Sequence, residues 1–214
     1  MTVVVSDAPF IYWFDFVSPY AWVAFRPARA LAAKHGLAFV PRPVLFAGLL
    51  DAHGLVGPAE VPATRAYIFK DAYRKAHARG LPPLVLPPSH PFNPLVALRA
   101  AIVDPSVDAI DRLFAAAWVE GRAIDTEEAV AAIAGASVVD ATKAPEVKAR
   151  LREATEDAAR RGIFGVPTLE LGGEMFWGSD ALEHADAFLR GEDPVPDDPR
   201  YFERPASAIR AARK

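Results

Sequence analysis

The chain has 214 residues and contains no cysteine, so disulfides, thiolate metal sites and any redox reaction in which the protein supplies the sulfur are excluded. A formal net charge of −3 offers no general attraction to polyanions, which sets nucleic acid aside as a partner. No stretch approaches the roughly 20 apolar residues of a membrane span, and the opening MTVVVSDAPF lacks a charged region followed by a long apolar one, so a cytoplasmic protein with no membrane partner is expected.

In chain order, Phe10 to Phe16 is a bulky aromatic and β-branched run without clear alternation, which predicts a strand covered on both faces and central in its sheet. After Ser18-Pro19, the residues Ala21, Trp22, Phe25, Ala28 and Ala32 keep helical spacing up to Gly36, a natural stop, with a kink expected at Pro27. Leu37 to Val44 predicts a second strand, so the chain opens β-α-β. From Phe46 to Arg161 the pattern is helical. Ile110, Leu113, Phe114, Ala117 and Trp118 form one apolar stripe and Val147, Leu151, Ala154 and Ala158 another, while Asp125 with Glu128 predicts a capped helix start between them. Val166 to Leu171 and Glu174 to Trp177 predict a hairpin turned by Gly172-Gly173, and a helix follows from Ser179 to Arg190. The proline-rich close predicts an extended tail ending in a short helix. Four regions result: 1–45 (β-α-β), 46–161 (helical insertion), 162–190 (β-β-α) and 191–214 (tail). That order is similar to a thioredoxin-like one split by helices.

The stretches DFVSPYAWVAF, PAEVPATRAYIFKDAYRKA, HPFNPLVALRAA and GIFGVPTLELGGEMFWGSDAL, in this order between Phe10 and Leu189, resemble the 2-hydroxychromene-2-carboxylate isomerase family, relatives of kappa-class glutathione transferases and DsbA-type oxidoreductases. The resemblance implies an α/β, thioredoxin-like fold with an inserted all-helical domain, in the DsbA/kappa-class architecture. It also implies glutathione as cofactor, a small aromatic substrate and a homodimer. The activity expected is that of a glutathione-dependent isomerase. A kappa-like transferase, or a non-catalytic binding module in which the same residues are merely helix caps, stays open as the alternative.

Ser18 stands where the resembled fold carries the first cysteine of a redox pair. Taken alone, Ser18-Pro19 reads as an N-cap with proline at the first helical position. The same geometry also puts a hydroxyl at the positive end of a helix dipole, where a thiolate is stabilised. A free thiol ionises at about 8.5, so Ser18 would act as an activator, donating a hydrogen bond to the sulfur of glutathione.

Val166-Pro167 reads as a proline at the start of a strand. The resemblance implies a cis bond there, facing the Ser18 turn, with the Val166 backbone open to the cysteinyl backbone of glutathione. Asp180 with Glu183 reads as a capping pair. Ser179 and Asp180 also offer a match for the α-carboxylate and α-ammonium of a γ-glutamyl group. Asn93-Pro94 repeats the cap logic, and the resemblance places Asn93 near the site. Tyr20, Asn93 and Trp118 are the candidate substrate contacts, and Trp22, Phe46 and Trp177 are aromatics that fit either a pocket wall or the core. The five histidines lie in separate segments without ligand spacing, so no metal site is expected. Asp51 and Leu55 stand where the isomerase pattern has a lysine and an asparagine, which points away from an acidic chromene substrate.

Overall fold

A computed structural model of the protein describes residues 8–196; the predicted terminal helix lies outside the described residues. Its sheet has four strands in the order β2-β1-β3-β4. The strand β1 (Phe10–Phe14) pairs parallel with β2 (Phe39–Pro43) and antiparallel with β3 (Thr168–Leu171), and β4 (Glu174–Trp177) pairs antiparallel with β3. β1 is therefore central, and its lack of alternation has a plain cause. Phe10, Tyr12 and Phe14, each fully buried, face one core, while Trp13 faces a second with Val44, Leu49, Ala158, Ile163 and Val166.

The helix α1 (Pro19–Lys34) covers the first face and runs on through Pro27, so the expected kink does not interrupt it. Then come α2 (Phe46–His53), a short 3₁₀ turn (Pro58–Glu60), α3 (Pro62–Ala78), α4 (Leu95–Val103), α5 (Val107–Trp118), α6 (Glu127–Ala134), α7 (Ala136–Ala141) and α8 (Pro145–Arg160). The predicted stripe on α5 is wholly buried, and Phe114 packs edge-on against Phe16 with ring centroids 4.7 Å apart. Edge-to-face pairs of this kind contribute about 1 kcal/mol beyond their area. One continuous core thus joins the β1 face to the helical segment. Between β3 and β4, Gly172 and Gly173 adopt φ of +57° and +93°, the left-handed values a two-residue hairpin needs.

Two helix starts differ from the sequence reading. The cap of α6 is Thr126, whose hydroxyl accepts the Ala129 N–H at 3.2 Å, in place of Asp125. Thr is also a favoured cap, and the later start accompanies complete burial of Val130. Residues Ser179–Ala181 form a 3₁₀ turn, and the last helix, α9, spans Leu182–Leu189 with no side-chain cap.

Candidate active site at the start of α1

β1 delivers the chain into the turn Asp15-Phe16-Val17-Ser18. Ser18 is extended, with φ −90° and ψ 114°, and its Oγ accepts the Ala21 N–H at 3.2 Å, so it is an N-cap. The same hydroxyl donates to Val166 O at 3.2 Å. The Val166-Pro167 bond is cis, as expected, and this contact brings it against the Ser18 turn. The Val166 N–H has no hydrogen-bond partner among the described residues. Gly165 lets the Trp177 indole lie close to this loop, because a Cβ there would sit 2.5 Å from Trp177 Nε1.

Two residues behind the turn carry no signal in the sequence reading. Asp15 is fully buried; its Oδ1 accepts the Val17 N–H at 3.0 Å and its Oδ2 accepts the Phe46 N–H at 2.8 Å. It thereby ties the turn to the first residue of α2. Burial pushes its carboxyl up to about 7, and the two N–H donors pull the other way. His90 donates from Nε2 to Val17 O at 2.8 Å, which fixes the proton on that nitrogen, and its Nδ1 is buried without a partner among the described residues. Burial holds its pKa below the usual imidazole value. Its own bond to Pro91 is also cis.

A second group assembles one step away. Pro167 O accepts the Gly178 N–H at 2.9 Å, which sets the Ser179 turn beside the Val166 loop, and that turn packs on α1. Asp180 is not a cap. Its Oδ1 accepts from Ser179 Oγ at 2.9 Å and pairs with Lys75 Nζ at 2.7 Å. Lys75 also pairs with Asp71 Oδ2 at 2.8 Å and lies 4.9 Å over the Tyr20 ring, while the Tyr20 hydroxyl donates to Asp71 Oδ2 at 2.9 Å. Arg79, the C-cap of α3, donates to Ser179 O and keeps its Nη1 buried without a partner among the described residues. Lys75 chiefly, together with Ser179 and Arg79, holds Asp180 below the usual carboxylate range. Burial chiefly, aided by Asp71, raises the Tyr20 phenol.

The remaining candidates divide. Ser18, Val166 and Pro167 meet, and Tyr20, Ser179 and Asp180 meet through Asp71 and Lys75. Asn93 is exposed, and its Oδ1 accepts the Leu95 N–H at 3.1 Å, so it serves the start of α4. Trp118 is fully buried and donates from Nε1 to Phe16 O at 2.9 Å; with no exposed face, it braces the turn from behind and does not line a pocket. Trp22 is likewise core, whereas Trp177 is 57% exposed and packs on Phe164. A cavity of about 540 Å³ opens elsewhere, between α2, α4 and α8, and neither Ser18 nor Asp180 lines it.

Comparison with known proteins bears on the fold. The chain is 30% identical over 181 residues to a 2-hydroxychromene-2-carboxylate isomerase of Pseudomonas putida, covering 80% of this chain and 89% of that one. It is 27% identical over 212 residues to glutathione S-transferase kappa 1 of Rattus norvegicus, covering 86% and 92%. A solved 2-hydroxychromene-2-carboxylate isomerase superposes with a TM-score of 0.74 at 27% identity, over 85% of this chain and 94% of the other. The DSBA-like thioredoxin domain matches residues 11–190, which takes in all of β1 but its first residue, every helix from α1 to α9 and the hairpin that closes the sheet; the chain belongs to that family.

Proposed function

We propose that the protein is a glutathione-dependent isomerase of the 2-hydroxychromene-2-carboxylate isomerase type, acting on a small conjugated aromatic compound. The observation that carries this reading is Ser18. A hydroxyl occupies the α1 start, beside a cis-proline loop, in a chain that has no thiol of its own. The residues present fit glutathione. The Ser18 hydroxyl suits a thiolate, the Val166 N–H, without a partner among the described residues, suits a peptide carbonyl, and Lys75 with Asp180 suits a zwitterionic end.

When bound, glutathione supplies a nucleophilic sulfur that adds reversibly to a conjugated double bond, allows rotation and leaves unchanged. Ser18 would turn its O–H from Val166 O to the sulfur, and the N-terminal end of α1 would add its positive partial charge. Val166 would align the cysteinyl backbone. Asp180 would receive the α-ammonium.

Calorimetric titration with glutathione tests the reading. We expect saturable binding by the wild-type protein and a loss of about 1.5–3 kcal/mol of affinity in Asp180→Ala. Stability of that variant should stay within about 1 kcal/mol of wild type, because the Asp180 side chain is 69% exposed and its ion pair is a surface one. Unchanged affinity would remove Asp180 from the site.

The second substrate is set apart from the acidic chromene by Asp51 and Leu55, both exposed at the end of α2. An anion meets a carboxylate there where the isomerase pattern has a cation. We expect 2-hydroxychromene-2-carboxylate to be turned over poorly, and Asp51→Lys with Leu55→Asn to raise its kcat/KM by at least about tenfold, which needs only about 1.4 kcal/mol of transition-state binding. Efficient turnover by the unmodified protein would mean that another cation already serves that role.

A further inference from the structure

Glutathione's ammonium and Lys75 compete for one carboxylate. Lys75 Nζ already sits 2.7 Å from Asp180 Oδ1, so a ligand ammonium arriving at Asp180 would crowd a second cation onto the same group. We propose that Lys75 is the residue that reads the α-carboxylate of the γ-glutamyl end, so that the site accepts an intact amino-acid head group and discriminates against a bare amine. This inference rests on the functional reading above.

The geometry supports an exchange of ion pairs. Asp71 and Lys75 are four residues apart on α3, and the Tyr20 hydroxyl also bonds Asp71 Oδ2, so Lys75 keeps one partner whatever happens at Asp180. The Asp71 and Lys75 side chains are 18% and 27% exposed, whereas Asp180 is 69% exposed. Asp180 is thus the open member of the group. A ligand that brings both charges can put its ammonium on Asp180 and its carboxylate on Lys75, leaving every charge opposite an unlike one. A ligand that brings only the ammonium displaces Lys75 without replacing its lost partner. Arg79, bonded to Ser179 O, holds the Ser179-Asp180 turn against α3 while the exchange occurs.

Calorimetry with three probes tests this: glutathione, its analogue lacking the α-carboxylate (γ-aminobutyryl-Cys-Gly) and its analogue lacking the α-amino group (glutaryl-Cys-Gly). In the wild type, loss of the carboxylate should weaken binding by about tenfold or more, the worth of a charge-assisted hydrogen bond. In Lys75→Met, glutathione itself should weaken by about tenfold and the carboxylate should then matter less than about threefold. Lys75→Arg, which keeps the charge, should keep the discrimination and serves as a second folded variant. Discrimination against the decarboxylated analogue that persists in Lys75→Met overturns the inference alone. Absence of glutathione binding in the wild type overturns both this inference and the functional reading.

Discussion

Replacing Asp15 with asparagine should flatten the stability of the protein between about pH 4 and pH 7. The cause is a buried carboxyl raised from 3.8 to about 7, chiefly by loss of solvent. Between those two values the folded chain holds a proton that the unfolded chain has released. The stability this provides is complete below the unfolded value and is lost as pH rises through the folded one. A shift of about three units corresponds to on the order of 4 kcal/mol. Asparagine keeps one acceptor for the Val17 and Phe46 N–H groups but turns an amide NH₂ toward the other, costing about 1–3 kcal/mol at pH 5. Urea unfolding at pH 5 and pH 8 should therefore show the wild type losing several kcal/mol relative to the variant. His90, whose pKa burial lowers, acts in the opposite sense, but it is present in both proteins and cancels. Asp186, held at about 2 chiefly by His35 and Lys34, acts only at lower pH. Parallel curves for the two proteins would mean that Asp15 does not titrate in this range.

Ser18→Ala should divide binding from turnover. On the proposed function the lost hydrogen bond is one to an anion, so glutathione should bind within about threefold of wild type at low pH, where its thiol is neutral. Above that, the bound thiol should ionise about one to two units higher and kcat should fall by about a hundredfold, as when a single donor to a developing anion is removed. Stability should drop by about 1 kcal/mol for the lost cap at Ala21 N. The thiolate absorbance of the complex, titrated with pH, separates these effects. A bound thiol that ionises as in wild type would falsify the activating role of Ser18.

The fold was legible because its strongest signals are local. The dense aromatic run of β1, the paired glycines of the hairpin and the stripes on α5 and α8 each state their element without outside help. Ser18 and Val166-Pro167 were legible for the same reason, since a cap and a strand-entering proline are short patterns. Asp15 was not, because an acid inside an aromatic run reads as an interruption until the distant Phe46 N–H that it accepts is in place. Lys75 and Asp71 form no pattern of their own in the sequence, and only the packing of α3 beside the Ser179 turn gives them Tyr20 and Asp180 as partners. Trp118 was misjudged in the opposite direction. A large aromatic suits a pocket wall and a core equally well in sequence, and the bond from its indole to Phe16 O decides for the core.

The hydrogen bond from Ser18 to Val166 joins residues 148 positions apart, and β1 lies between an early strand and a late one. During synthesis, β1, α1 and β2 can pair as soon as they emerge, but the second edge of β1 waits for β3. Until then the Ile11, Tyr12 and Trp13 backbone that will meet β3 is an open ladder on a very apolar strand, a template for unwanted pairing between chains. The contacts that define the site are long-range ones, the kind that form slowly because their loop must close first. The Ser18–Val166 contact therefore closes only once Val166 and β3 have been made, so that a chain stopping short of Val166 has the Ser18 cap without the loop that faces it.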